Sequence, residues 1–198
     1  MMMKKTKIVL ITLGIIIMSL ICCVCAKGPN PDVKKLRDGD IVFHCSDSRQ
    51  APLLRYATAS PVTHCGIVIE KGGKLYVLEA ENGVELTAID KWIDRGIGDV
   101  YMVRRSKKPL DKKVSYKKYL GIRYDMAFKF DNGKYYCSEL VWEIFRDQYG
   151  VTLCEPRPLK DYHTLGIEKE VKRRGMKMDQ LMVAPVDLLD SDELEVIY

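Results

Sequence analysis

Only three histidines, His44, His64 and His163, occur in the 198 residues, and they make no paired ligand spacing with the cysteines. A structural or catalytic zinc needs such paired donors, so no metal and no cofactor is expected. Internal repeats and low-complexity tracts are also missing, which excludes solenoids and disordered arrays. There is no spare length for a second domain once one well-cored domain has been built. Net charge is nearly absent as well. The formal +5 includes three lysines of the N-terminal leader (Lys4, Lys5, Lys7), which leaves 29 Lys and Arg against 27 Asp and Glu, or +2, for residues 27–198. A chain so nearly neutral gives no case for nucleic-acid binding.

What is present begins with that leader. "MMMKKTK" is a positive n-region, "IVLITLGIIIMSLI" is an apolar run of fourteen residues, and "CCVCAKG" closes it with small residues. Together they form an export signal over residues 1–26. Three fates fit: cleavage after Val24-Cys25-Ala26, lipid attachment at a leader cysteine, or retention as an anchor, since residues 8–26 approach bilayer-spanning length. The expected location is therefore the periplasm or cell envelope, with membrane attachment through the N-terminus left open. Residues 27–198 form the single domain. Three of the seven cysteines belong to the leader, and the remaining Cys45, Cys65, Cys137 and Cys154 show no CxxC pair. Export permits disulfides among them, but a domain of this size does not require one.

Periodicity supplies a coarse outline. "GDIVF" (39–43) opens a strand after a turn, and "QAPLLRYATA" (50–59) reads as a short helix stopped at Ser60-Pro61. "THCGIVIE" and "KLYVLEA" are β-rich runs joined by Lys71-Gly72-Gly73, the composition of a hairpin turn. "VYMVRR" (100–105) is a further strand. Residues 111–121 read as a helix stopped by Gly121, and residues 137–150 as a longer helix stopped by Gly150. Strands first and helices later indicate an α+β fold. The basic run from Arg104 to Lys118 and the acidic tail "DSDELE" read most simply as solvated surface. Trp92 and Trp142 read as packing or groove-edge aromatics.

The chemistry-bearing stretch is "YYCSELVWEIF". Leu140, Val141, Ile144 and Phe145 form one apolar face that would dock on a sheet, and Cys137 stands one turn before it. At a helix N-terminus, unpaired N–H groups and the positive end of the dipole favour the thiolate. A buried small hydrophobe is the competing reading, and only a partner base separates the two. His163 lies in the irregular "PLKDYHTLG". His64 opens a strand whose alternation puts His64, Gly66, Val68 and Glu70 on one face. A two-residue turn at Gly72-Gly73 makes cross-strand positions sum to 145, so His64 faces Glu81 directly and Glu79 diagonally. Either carboxylate could orient the imidazole as the acid of a Cys-His-acid triad does.

These blocks carry a resemblance. "YLGIRYD" followed by "YYCSELVW" resembles the tyrosine and cysteine segments of NlpC-type cell-wall cysteine peptidases, and "GDIVF" followed by "THCGIVIEKGG" resembles their strand pair bearing the histidine. The order is reversed. "GDIVF…SPVTHCGIVIE…LYVLEAENGV…YLGIRYD…YYCSELVWEIF" is similar to the YiiX-like, circularly permuted papain-like members over roughly residues 37–160. The resemblance implies a central antiparallel sheet with helices packed on it and the catalytic cysteine at a helix N-terminus. It implies Cys137 as nucleophile, His64 as base, Glu79 as orienting acid and Tyr124 as an oxyanion-side hydroxyl. Cys65 and Cys154 fall outside that set and read as packing residues. The implied activity is hydrolysis of an amide or ester in an envelope peptide, acyl-amino acid or lipid. Two alternatives stand beside it. Related permuted acyltransferases carry a cysteine next to an asparagine and followed by Glu-His, unlike "YYCSELV" here; a non-catalytic envelope-binding module would not need all four residues.

Overall fold

The computed structural model describes residues 31–197; the leader lies outside the described residues. The elements that matter for the site run as β1 (Ile41–Ser46), α1 (Ala51–Thr58), β2 (His64–Lys71), β3 (Lys74–Ala80), β4 (Val84–Ala88), α2 (Ile89–Asp94), β5 (Gly96–Ser106) and α3 (Cys137–Tyr149). After α3 come β6 (Arg157–Pro158), α4 (Glu168–Arg173), β7 (Leu181–Met182), α5 (Pro185–Leu189) and β8 (Leu194–Val196). Six strands make one antiparallel sheet in the order β4-β3-β2-β1-β5-β8, and β6 pairs with β7 apart from it.

The hairpin sets the register. Gly72 and Gly73 both adopt positive φ, 58° and 71°, a backbone that side-chain-bearing residues resist and that two-residue hairpins favour. Lys71 therefore pairs with Lys74 and Ile67 with Leu78, the register expected from the sequence. A slip of one residue would exchange the two faces of β2.

Alternation then divides the core. Ile41, Phe43, Cys65, Ile67, Ile69 and Leu78 line one face and receive Leu140, Val141, Ile144 and Phe145 of α3. Burying four such side chains is worth roughly 6–12 kcal/mol as an upper bound, enough to hold the start of α3 firmly against β2. On the opposite face Val42, Val68, Val77, Tyr101 and Val103 pack with Ile89 and Trp92 of α2. A third cluster, including Phe128, Tyr136, Tyr162 and Val171, supports the loop that leads into α3.

Three expectations change. Residues 111–121 do not form an α-helix; only Lys117–Tyr119 makes a 3-10 turn. The N–H of Val114 is taken by the Asp38 carboxylate and that of Ser115 by the Gln148 side chain, so tertiary partners hold these groups outside any helical ladder, while Val114 and Tyr119 are drawn into the core. The acidic tail is not wholly solvated either. Leu194 is buried, and Leu194–Val196 extends the sheet along β5. The strand expected over 100–105 is also longer than its apolar run, because β5 begins at Gly96.

Candidate active site

Cys137 is the first residue of α3. The chain enters the helix through Tyr136, which is extended (φ −101°, ψ 167°) and buried, with its N–H donated back to Glu139 Oε2 at 3.3 Å. Ser138 Oγ donates to the Val183 carbonyl at 2.7 Å, and the Tyr136 hydroxyl accepts from the Val183 N–H at 3.1 Å. The first turn is thus tied down on both sides of the cysteine. The sulfur sits at the positive end of the helix.

His64 comes from the opening of β2, and its ring reaches two partners. Nε2 is 2.6 Å from Glu79 Oε2, and the ring also hydrogen-bonds to Cys137. With Nε2 facing the carboxylate, Nδ1 is the nitrogen left for the sulfur. The diagonal reach from His64 to Glu79 depends on Gly66 between them. A Cβ there would lie 2.4 Å from Val77 Cγ1 and 3.3 Å from Glu79 Cβ, so this position accepts no side chain.

Glu79 is fully buried and accepts four donors. His64 Nε2 and Trp92 Nε1 (3.0 Å) share Oε2, while Thr87 Oγ1 (2.5 Å) and the Arg95 guanidinium share Oε1. Burial alone would raise this carboxyl, but the bonds from His64 and Thr87 and the Arg95 charge bring it down to about 2. Burial would likewise lower His64, yet its bonds to Cys137 and Glu79 push it up to about 10. Cys137 is held well below the usual thiol range, first by the hydrogen bond from the Cys65 thiol, then by His64, against the cost of burial. The favoured state is therefore a buried thiolate, imidazolium and carboxylate in line.

Several of these partners lay beyond the sequence reading. Thr87 sits on the face of β4 that carries Glu85, whose partner across the strands is Glu79; the alternation in "VELTA" holds that information, but the register of its turn does not show in sequence. Trp92 is a packing aromatic as expected and in addition a donor to Glu79. It stacks on His44 at 4.0 Å, and His44, directly across from His64, is buried as a neutral ring, with its pKa lowered to about 2, chiefly by desolvation. Glu81 pairs with Arg95 rather than His64. His163 is exposed and touches α1 through its backbone. Cys65 packs in the core and also bonds to Cys137, so packing is only part of its place. Tyr124 lies close enough for the Cys137 charge, after burial, to raise its phenol, whose oxygen accepts a hydrogen bond from Gln50.

Comparison with known proteins bears on this geometry. The family model described as permuted papain-like amidase, YaeF/YiiX, C92 family, matches residues 35–198. An Escherichia coli (strain K12) protein, YiiX, described as uncharacterized, is 28% identical over 194 residues, covering 92% of this chain and 94% of its own. The crystal structure of the metalloprotein YiiX from Escherichia coli O157:H7 superposes with a TM-score of 0.73 at 28% identity, over 82% of this chain and 96% of that one. That protein's metal prompts a test of the residues here. Among the described residues, no group of three or more His, Cys, Asp or Glu side chains is arranged to hold an ion. His64 is engaged by Glu79 and Cys137, and the unpaired Nδ1 of His44 faces Gly96, where even a Cβ would stand only 3.0 Å away. These donors do not fit a metal, and no step below passes through one.

Proposed function

Because the chain belongs to the YaeF/YiiX family of permuted papain-like amidases, a family of cysteine hydrolases, we propose that it is an exported enzyme cleaving an amide, or less readily an ester, in an envelope-derived peptide, acyl-amino acid or lipid. One observation carries the reading: a single buried imidazole bonded to Cys137 on one side and, at 2.6 Å, to Glu79 on the other. That arrangement supplies a nucleophile, a proton carrier and its orienting acid.

In this mechanism the Cys137 thiolate attacks the carbonyl, and the Cys137 N–H with the Tyr124 hydroxyl stabilises the developing oxyanion. The His64 imidazolium gives its proton to the leaving amine or alcohol as the tetrahedral species collapses to an acyl-enzyme. Neutral His64 then takes a proton from water, whose oxygen attacks the acyl carbon and releases the acid. Glu79, held by Thr87, Trp92 and Arg95, keeps the Nδ1 edge aimed at sulfur through both halves. Amides rank above esters by analogy with the peptidases that share this fold. The envelope assignment rests on the leader, which directs export.

The test incubates wild type and Cys137→Ala with wall stem peptides, N-acyl amino acids and lysophospholipids, following released products and covalent mass additions. Cys137-dependent release from the peptides or acyl-amino acids is the expected result. Release from the lysophospholipids only would reverse the order of substrates. Absence of both release and acyl-enzyme, with binding of wall material, would overturn the hydrolase in favour of a binding module.

A further inference from the structure

Cys65 has no part in the mechanism above, yet two of its groups converge on the Cys137 sulfur. Cys65 lies with Ile67 and Ile69 on the face of β2 that α3 packs against, where Cys137 opens that helix, and its thiol is directed at that sulfur. The β2–β3 ladder ends at Ile67 and Leu78, and beyond it the Cys65 N–H also turns to Cys137. Both side chains are buried in the same core cluster, and neither is in a disulfide. The other two cysteines among the described residues are engaged elsewhere: Cys45 accepts from Arg55 at 3.0 Å, and Cys154 lies on the loop after α3, where its carbonyl accepts from Trp142. A thiolate with a second thiol already in bonding range is the arrangement in which oxidation stops at a disulfide rather than continuing to an irreversible acid.

We propose that Cys137 is an oxidation site for hydroperoxides and that Cys65 is its resolving thiol. The Cys137 sulfur attacks the terminal peroxide oxygen, the O–O bond breaks, and the released alkoxide or hydroxide takes a proton from the His64 imidazolium. Sulfur loses two electrons to become the sulfenic acid, and the peroxide is reduced to alcohol or water. The Cys65 sulfur then attacks the sulfenyl sulfur. The S–O bond breaks, its oxygen leaves as water with the Cys65 proton, and a Cys65–Cys137 disulfide remains. Burial, and in second place the bond to the Cys137 sulfur and its negative charge, keeps Cys65 protonated and unreactive in the resting enzyme. The charge is gone once Cys137 carries the hydroxyl. A reductant reverses the bridge, so the nucleophile survives an oxidant that would otherwise destroy it.

The inference rests on Cys137 being the reactive thiolate of the proposed hydrolase, and the experiment separates the two. Reduced full-length protein and Cys65→Ala are titrated with hydrogen peroxide. Each sample is split for dimedone trapping, non-reducing peptide mapping, and iodoacetamide labelling of Cys137 before and after dithiothreitol. In wild type the expected outcome is a Cys65–Cys137 linked peptide, little dimedone adduct, and loss of labelling that dithiothreitol restores almost fully. Cys65→Ala should trap dimedone at Cys137 and then pass to the sulfinic acid, with labelling lost for good. Wild type that labels with iodoacetamide but passes to the sulfinic acid without the linked peptide overturns this inference alone. Wild type that neither labels at Cys137 when reduced nor forms the linked peptide overturns the nucleophile as well. Disulfide mapping in wild type needs no variant, so a poorly folding Cys65→Ala leaves the test intact.

Discussion

Exchanging Glu79 for glutamine separates the charge of the carboxylate from its shape. Four donors point at the native side chain, whereas an amide has one acceptor oxygen and two N–H groups. With the amide oxygen toward His64 and Trp92, the new NH2 faces Thr87, whose hydroxyl can rotate to accept, and Arg95, which is 35% exposed and already paired with Glu81. This orientation keeps the His64 bond but makes it neutral. A bond to a charged group is worth roughly 1.5–3 kcal/mol and a neutral one about 1, so the imidazolium loses about 1–2 kcal/mol, or about one pKa unit. The opposite orientation forces the proton onto Nδ1, the wrong tautomer, which costs on the order of 10^4 in kcat. Turnover should therefore fall by roughly 10^2 to 10^4. Stability should fall by about 2–3 kcal/mol, a Tm drop of roughly 5–10 °C in a domain of this size. The informative readout is the rate of Cys137 alkylation by iodoacetamide between about pH 5 and pH 9. An ordinary thiol speeds up about tenfold per pH unit below its pKa, whereas a pre-formed thiolate gives a flat profile. Absolute rate is a poorer guide, because a low-pKa thiolate is also a weaker nucleophile. Wild type should be flat and the variant should regain a slope at the acid end. A folded Glu79→Gln protein with the wild-type profile would refute the link from Glu79 through His64 to sulfur.

Other outcomes follow from the same geometry. Gly66→Ala places a Cβ 2.4 Å from Val77 Cγ1 and 2.7 Å from the Leu78 carbonyl oxygen; thermal unfolding should show a loss of about 1–3 kcal/mol, with slower Cys137 alkylation as Glu79 is displaced. Trp92→Phe keeps a ring against His44 but removes one donor from Glu79, and denaturant titration should show a cost of about 1 kcal/mol. Stability against pH should peak near 6.5. Below 6.5 the unfolded chain protonates His44 and keeps Cys137 as a thiol, while the native state holds His44 neutral down to about 2 and Cys137 ionised; protonated native Glu139 offsets one of these two protons down to 4.5, and Glu79 adds to the acid loss from 4.5 through about 2. Above 6.5 native His64 and native Glu139, which burial raises to about 9, each keep a proton the unfolded chain has lost; unfolded Cys137 offsets only one of the two up to 9.0, so stability declines from 6.5 toward about 10. His44→Phe should shallow the acid limb by one proton, about 1.4 kcal/mol per pH unit. For the leader, mass spectrometry of the purified N-terminus should find it cleaved, lipidated or membrane-retained, and soluble, uncleaved cytoplasmic protein would contradict export.

Legibility tracked how local the determining physics was. The Gly72-Gly73 turn fixed a register readable from two adjacent residues, and from it followed the shared face of His64 and Glu79. The apolar stripe of α3 was equally plain, since Leu140, Val141, Ile144 and Phe145 repeat at helical spacing. The 111–121 segment misled because its helical pattern competes with hydrogen bonds from Asp38 and Gln148, residues distant in sequence whose approach no local pattern encodes. Arg95 and Trp92 were hidden for a related reason: their roles depend on where α2 crosses the sheet, and Trp92 in isolation carries only a packing signal. Cys65 looked like an ordinary core residue because its neighbour Cys137 arrives from a helix made much later in the chain.

The acid and base half of the site comes from one uninterrupted stretch. His64, Glu79, Thr87, Trp92 and Arg95 lie on or directly beside β2, β3, β4 and α2, joined by short turns. Contacts this close in sequence close small loops and form at little entropic cost. During synthesis the paired imidazole and carboxylate can thus assemble before α3 has been made, and until α3 docks on β2 the thiol of Cys137 remains an ordinary one. A nascent or partly opened chain is therefore chemically quiet, because the reactive thiolate exists only once α3 is seated on the finished sheet.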